Sequence, residues 1–96
     1  MRPSLALEQH REVIRAIVAR HRAYNARVFG SVLHGADREG SDLDLLVDAG
    51  PDTSLLDLVK AQHEIESIVG VPVDLLTPED LPESFRPKVL AEARPL

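Results

Sequence analysis

The sequence predicts an α/β fold, a small mixed β-sheet with helices packed on it. Two stretches, residues 5–21 and 55–69, repeat apolar residues at helical spacing. Three short β-prone runs, at 26–29, 43–47 and 71–76, alternate with them and are bounded by Gly, Asp and Pro. The resulting order is helix, strand, turn, strand, helix, strand, helix, which is that of a sheet covered by helices. Ninety-six residues suit a single domain spanning 1–96. With 44% hydrophobic and 28% charged residues the chain is too apolar for wholesale disorder.

The first helix carries Leu5, Val13, Ile14, Ile17 and Val18 at spacings that form an apolar stripe, while Arg11, Glu12, Arg15, Arg20 and Arg22 fall largely on a solvated face. Ala26-Arg27-Val28-Phe29 is a short strand ended by Gly30, and Leu43 to Val47 is a second. Thr53 or Ser54 caps the next helix, in which Leu55, Leu58, Val59, Gln62, Ile65 and Val69 recur until Gly70 ends it. Val71 to Leu76 reads as a third strand. Pro72 has no N–H to give a ladder, which places it at the start of that strand or on a sheet edge. Thr77-Pro78-Glu79-Asp80 has the form of a helix start, with Thr77 as cap and Pro78 in the first position. Beyond it Pro82, Pro87 and Pro95 break residues 79–96 into turns and one brief helix after Pro87.

Composition narrows the function. Net charge is −5, from sixteen acids against eleven Lys and Arg, which argues against a protein whose task is to hold a phosphate backbone. Tyr24, Phe29 and Phe85 are the only aromatics, too few for a base-stacking platform. The absence of cysteine excludes disulfides, thiolate metal sites and thiol nucleophiles. Leu5-Ala6-Leu7 runs straight into Glu8, unlike a signal peptide, and no stretch approaches a membrane span. The chain reads as a small, acidic, cytoplasmic domain with no membrane attachment.

Its chemistry concentrates in one segment. Six acids (Asp37, Glu39, Asp42, Asp44, Asp48 and Asp52) face a single base, Arg38. Asp42 and Asp44 open the second strand as Ser41-Asp42-Leu43-Asp44-Leu45-Leu46-Val47. On a strand, alternate residues share a face, so both carboxylates project together while Leu43, Leu45 and Val47 project oppositely. Their Cβ atoms lie about 6.6 Å apart, suited to a pair of divalent ions.

Gly30-Ser31 ends the first strand, and ten residues separate it from Asp42-Leu43-Asp44. Gly30 admits a close approach of backbone to ligand, and Ser31 offers a hydroxyl and an N–H to an anion. For the two groups to meet, the end of the first strand must lie beside the start of the second, so these strands are antiparallel. Phosphate beside paired carboxylates is repulsive unless metal lies between, which points to a magnesium–polyphosphate complex. Asp74, an acid in an apolar strand, is the third carboxylate of such a site.

Competing motifs fail. Gly30 and Gly35 have P-loop spacing, but Ala36-Asp37 follow in place of Lys and Ser or Thr. Asp42-Leu43-Asp44-Leu45-Leu46 lacks the third polar ligand and the glycine of a calcium loop. His63-Glu64 opens a zinc-protease pattern, but Ser67 stands where its second histidine belongs, and His10, His21 and His63 share no metal spacing.

The stretch from Arg27-Val28-Phe29-Gly30-Ser31-Val32-Leu33-His34-Gly35 through Ser41-Asp42-Leu43-Asp44-Leu45-Leu46-Val47-Asp48 resembles the signature of minimal nucleotidyltransferases, the stand-alone catalytic domains of the DNA polymerase β-like superfamily. Val73-Asp74-Leu75-Leu76 matches the family's third carboxylate, and the resemblance spans essentially the whole chain. Many relatives carry Arg just before the second glycine. Here it is His34, so a permanent positive charge at the phosphates is not implied.

The resemblance implies a polymerase β-like fold and transfer of a nucleoside monophosphate, AMP from ATP, to a hydroxyl, with two magnesium ions. It assigns Asp42, Asp44 and Asp74 to metal and catalysis and Gly30 and Ser31 to the nucleotide. Only twenty residues follow Leu76, so acceptor recognition falls to a second protein or a second copy. The resemblance further implies a helical HEPN ribonuclease toxin as partner, with which small members of the family are commonly paired as antitoxins and to whose tyrosine they can transfer AMP. The alternative from another class is a binding module of the same fold that neutralises its partner by contact. A nucleic-acid polymerase ranks behind both at net charge −5.

Overall fold

The computed structural model describes residues 1–96. Helix α1 (Pro3–Arg20) leads into β1 (Ala23–Phe29), the single-turn α2 (Gly30–Leu33), β2 (Leu43–Ala49), α3 (Leu55–Val69) and β3 (Val73–Leu76). A 3-10 turn (Pro78–Asp80), α4 (Arg86–Glu92) and the two-residue β4 (Arg94–Pro95) complete the chain. The sheet order is β3-β2-β1-β4, with β1 antiparallel to both neighbours and β2 parallel to β3. The mixed sheet and the antiparallel first pair are as the sequence predicts.

Burial follows the alternation along β2. Leu43, Leu45 and Val47 are fully buried and join Val28, Val73 and Leu75 from the other strands. Ala6, Leu7, Ile14, Ile17 and Val18 of α1 and Ala61, Ile65 and Val69 of α3 complete that core, so both long helices cover one sheet face. Leu5, Val13, Leu55 and Val59, expected in the apolar stripes, are exposed. The buried residues of α1, Pro3, Ala6, Leu7, Ile14, Ile17 and Val18, keep one stripe past the non-helical His10 (φ −124°, ψ 17°), and Leu5 and Val13 lie off that stripe. Strand β1 is longer than expected because Asn25, at φ 56°, forms a bulge that carries pairing on to Ala23.

The tail departs most from expectation. Arg94 and Pro95 pair with Val28 and Arg27, and Leu96 donates its N–H to the Ala26 carbonyl and lies 9% exposed in the core. Two residues, one of them proline, carry no alternation to read, and Pro95 is tolerated because β4 is an edge. Strands β3 and β4 are opposite edges, so residues 77–93 must cross the sheet. The face away from α1 and α3 holds Asp44, Leu46 and Asp48 by alternation, and the 3-10 turn packs on β2 there, with Leu46 fully buried and Leu81 5% exposed.

Local signals are met where the hydrogen bonds are local. Ser54 and Asp57 form a reciprocal capping box, Gly70 ends α3 at φ 74°, and at the 3-10 turn the Thr77 N–H and hydroxyl both donate to the Asp80 carboxylate. Thr53 is not the cap of α3: its hydroxyl donates to the Arg22 carbonyl and accepts from Gly50 N–H. Arg20, the last residue of α1, and His21 just past it clamp Glu64 of α3, which lowers that carboxyl's pKa.

The start of α1 has no cap of its own. Asp37 supplies one from the loop before β2, accepting from Ser4 N–H at 2.8 Å and Arg2 at 3.3 Å, its side chain fully buried. The Ser4 hydrogen bond holds the Asp37 carboxyl below its ordinary 3.8. Asp37→Ala is expected to cost about 1–3 kcal/mol at neutral pH by orphaning that N–H. A lowered carboxyl contributes stability above its unfolded pKa and loses it as pH falls, so the gap between wild type and variant in urea unfolding should narrow below pH 3.8.

Candidate active site

The strand register assembles the site. Asp44 of β2 faces Phe29, the last residue of β1, on one side and Asp74 of β3 on the other. Asp42 immediately precedes β2 at the same mouth, and Gly30 immediately follows Phe29. Gly30 sits at φ +73°, and a Cβ there would stand 2.2 Å from Asp44 Oδ2 and 3.1 Å from its Cγ. Glycine is thus required twice, by the left-handed backbone and by the carboxylate filling its side-chain space. From sequence, Gly30 is expected to admit a ligand's close approach. Its first neighbour is Asp44.

Burial, then the charges of Asp74 and Asp42, push the Asp44 carboxyl up to about 6. Asp44 is half-buried, whereas Asp42 and Asp74 are exposed. None of the three has a basic partner. The other acids of the segment are dispersed: Asp37 caps α1, Glu39 pairs with the terminal amine at 2.7 Å, and Asp48 pairs with Arg27 at 2.6 Å and accepts from Asn25. Six clustered acids in sequence thus reduce to two in space, joined by Asp74.

Residues 7–96 match the family model for the nucleotidyltransferase domain. A solved structure assigned as a minimal nucleotidyltransferase superposes with a TM-score of 0.86 at 42% identity, covering 97% of this chain and 95% of the other. The chain belongs to the minimal nucleotidyltransferase family. It is also 38% identical over 77 residues (80% of this chain, 83% of the relative) to MJ0435 of Methanocaldococcus jannaschii, assigned as a protein adenylyltransferase. To the protein adenylyltransferase MntA of Thermococcus cleftensis it is 37% identical over 65 residues, 68% of this chain and 66% of that one. A toxin–antitoxin structure with AMP-PNP shares the fold at a TM-score of 0.70 and 17% identity, over 83% of this chain and 66% of the other.

In this nucleotidyltransferase the carboxylates suit a hard divalent cation: all donors are oxygen, and their mutual repulsion is what a cation relieves. Their side chains do not stand as a closed cage, since no three acidic or imidazole groups converge on one point. Asp42 and Asp74 are exposed at the mouth. Ser31 is half-buried in the first turn of α2, one residue from Gly30. His34, just past α2, meets Glu92 of α4 at 3.2 Å. That partner was invisible in the sequence, because it depends on how residues 77–93 cross the sheet. No helix is long and apolar enough to cross a membrane.

Two predictions follow from the geometry. Gly30→Ala should destabilise the enzyme by more than the ~1–2 kcal/mol of left-handed strain, while Ser31→Ala stays close to neutral. In an Asp44→Ala background the Gly30→Ala penalty should shrink; a double-mutant cycle in urea that shows strict additivity would contradict the contact. The second concerns pH. A carboxyl whose pKa is raised in the folded state contributes stability at low pH and loses it as pH rises, so metal-free protein should weaken between pH 3.8 and about 6 through Asp44. Asp44→Asn should lack that component and melt no lower than wild type at neutral pH.

Proposed function

We infer that this nucleotidyltransferase is the adenylyltransferase antitoxin of a toxin–antitoxin pair, moving AMP from ATP to a tyrosine hydroxyl of a helical HEPN toxin. The observation that carries the reading is Asp44 set between Asp74 and Gly30 by strand register. Similarity to proteins named protein adenylyltransferase, and the fold shared with a toxin–antitoxin structure holding AMP-PNP, support the choice of nucleotide and partner.

In this scheme the Gly30-Ser31 turn binds the terminal phosphates. The first N–H groups of α2 lack intrahelical acceptors, and the Ser31 hydroxyl adds a donor. Two magnesium ions, held by Asp42, Asp44 and Asp74, would supply positive charge at the attacking and departing oxygens. Asp74, itself exposed on β3, faces the incoming acceptor and takes the hydroxyl proton at its carboxylate oxygen. The acceptor oxygen bonds to the α-phosphorus as the bond to the bridging oxygen of pyrophosphate breaks. Asp44, half-buried and pushed up to about 6 without metal, must be ionised for this role, so protons compete with magnesium there and the magnesium needed for transfer should rise as pH drops below about 6.

The test is direct. Incubated with its toxin, ATP and magnesium, the wild type should add one adenylyl unit to the toxin by mass spectrometry, and Asp44→Asn should add none. Ser31→Ala should weaken ATP binding in titration calorimetry with unchanged circular dichroism. Equal neutralisation by wild type and Asp44→Asn, with neither shifting the toxin's mass, would establish the contact-only antitoxin instead. The His34–Glu92 pair, which puts a carboxylate beside the turn and no permanent positive charge, is the feature that favours that second reading.

A further inference from the structure

Strand β3 is an edge, paired with β2 alone. In a parallel ladder, N–H groups facing the neighbour alternate with N–H groups facing outward. Leu43 N–H donates to the Pro72 carbonyl at 2.8 Å, a phase that turns the N–H groups of Val73 and Leu75 away from β2. An exposed edge would leave them to water or to another chain. Here two side chains of α3 take them. Val73 N–H donates to Glu66 Oε2 at 2.9 Å, and Leu75 N–H donates to Gln62 Oε1 at 3.0 Å.

The match is geometric. Residues four apart on a helix are separated by about 6 Å along its axis. Residues two apart on a strand are separated by about 6.6 Å. The helix runs against the strand, so the later helical residue serves the earlier strand residue. The two bonds therefore bracket one position, Asp74. Packing of α3 does not require these side chains, because Ala61, Ile65 and Val69 already bury its inner face and Gln62 and Glu66 are part-exposed.

We propose that Gln62 and Glu66 are positioning residues for Asp74: they replace the missing neighbour strand and hold Asp74 in register beside Asp44. The proposal rests on the metal-binding role given to Asp74 above. Strand β3 is four residues long and follows a proline, so its ladder to β2 alone leaves it free to fray. Its two flanking N–H groups, tied to α3, stop that motion at the residue where position matters. The Glu66 bond is charge-assisted and the stronger of the two.

The test uses three variants of the whole protein. In Gln62→Ala/Glu66→Ala the Val73 and Leu75 amides should exchange with solvent faster than in wild type. The magnesium concentration that half-saturates both the melting-temperature rise and AMP transfer should increase about tenfold or more, the scale on which residues supporting a metal ligand act. KM for ATP at saturating magnesium should not change, which separates positioning from general loss of structure. Gln62→Glu/Glu66→Gln keeps an acceptor oxygen at each position and the same net charge, and should restore the wild-type midpoint. Asp74→Asn serves as the reference. If it loses the magnesium response while the double alanine variant keeps the wild-type midpoint, the positioning role is overturned and the reading of Asp74 stands. If Asp74→Asn responds to magnesium like wild type, the reading of Asp74 fails, and the positioning role with it. A swap variant as impaired as the double alanine variant also overturns the proposal.

Discussion

The register of β2 between β1 and β3 is the constraint on which the rest of the molecule depends. Leu43, Leu45 and Val47 are fully buried under α1 and α3, and the residues between them face the other way. A slip of one residue would bury Asp44 and expose the leucines, a cost no small domain could bear. The same burial that stabilises the sheet therefore sets Asp44 opposite Phe29 and level with Asp74. Site geometry is here a by-product of core packing. It needs no long loops, which suits a chain of ninety-six residues.

This arrangement stores electrostatic tension. Two carboxylates about 6 Å apart repel by roughly 3 kcal/mol at an effective dielectric of ~20, and less where water screens them. The protein relieves the tension partly by letting two of the three carboxylates stay in solvent and by raising the pKa of the third. Elsewhere the acids that are not exposed are satisfied, among them Asp37 by Ser4 and Arg2, Asp48 by Arg27 and Asn25, and Glu64 by Arg20 and His21. Unpaired negative charge is confined to the mouth where a cation would bind and to the solvated surface. That contrast gives the trio chemical meaning. Acidity alone does not, since most acids between Asp37 and Asp52 lie outside the site.

Both sheet edges are closed by local means. On one side Gln62 and Glu66 occupy the outward N–H groups of β3; on the other, β4 offers two residues, one of them without an N–H. Extension of the sheet by a partner strand is thereby blocked. Residues 77–93 cross the face opposite α1 and α3 and bring Glu92 to His34, beside the Gly30-Ser31 turn. The tail is thus part of the surroundings of the site.

The sequence by itself determined the helices, the three main strands, the antiparallel first pair and the candidate residues Gly30, Ser31, Asp42, Asp44 and Asp74. Each is written in short-range patterns: apolar residues at helical spacing, alternation along Leu43–Val47, caps at Ser54 and Thr77, and two motif halves that must meet. What only the tertiary structure decided is how distant segments share space. Strand β4, the cap Asp37 lends to α1, the Glu92 partner of His34 and the bracket around Asp74 all join residues far apart in the chain or on different elements. So does the second reason for Gly30, since the atom its Cβ would strike belongs to a side chain fourteen positions away. Local patterns encode what one element prefers. Contacts between elements depend on the packing of the whole core, which no window of sequence contains.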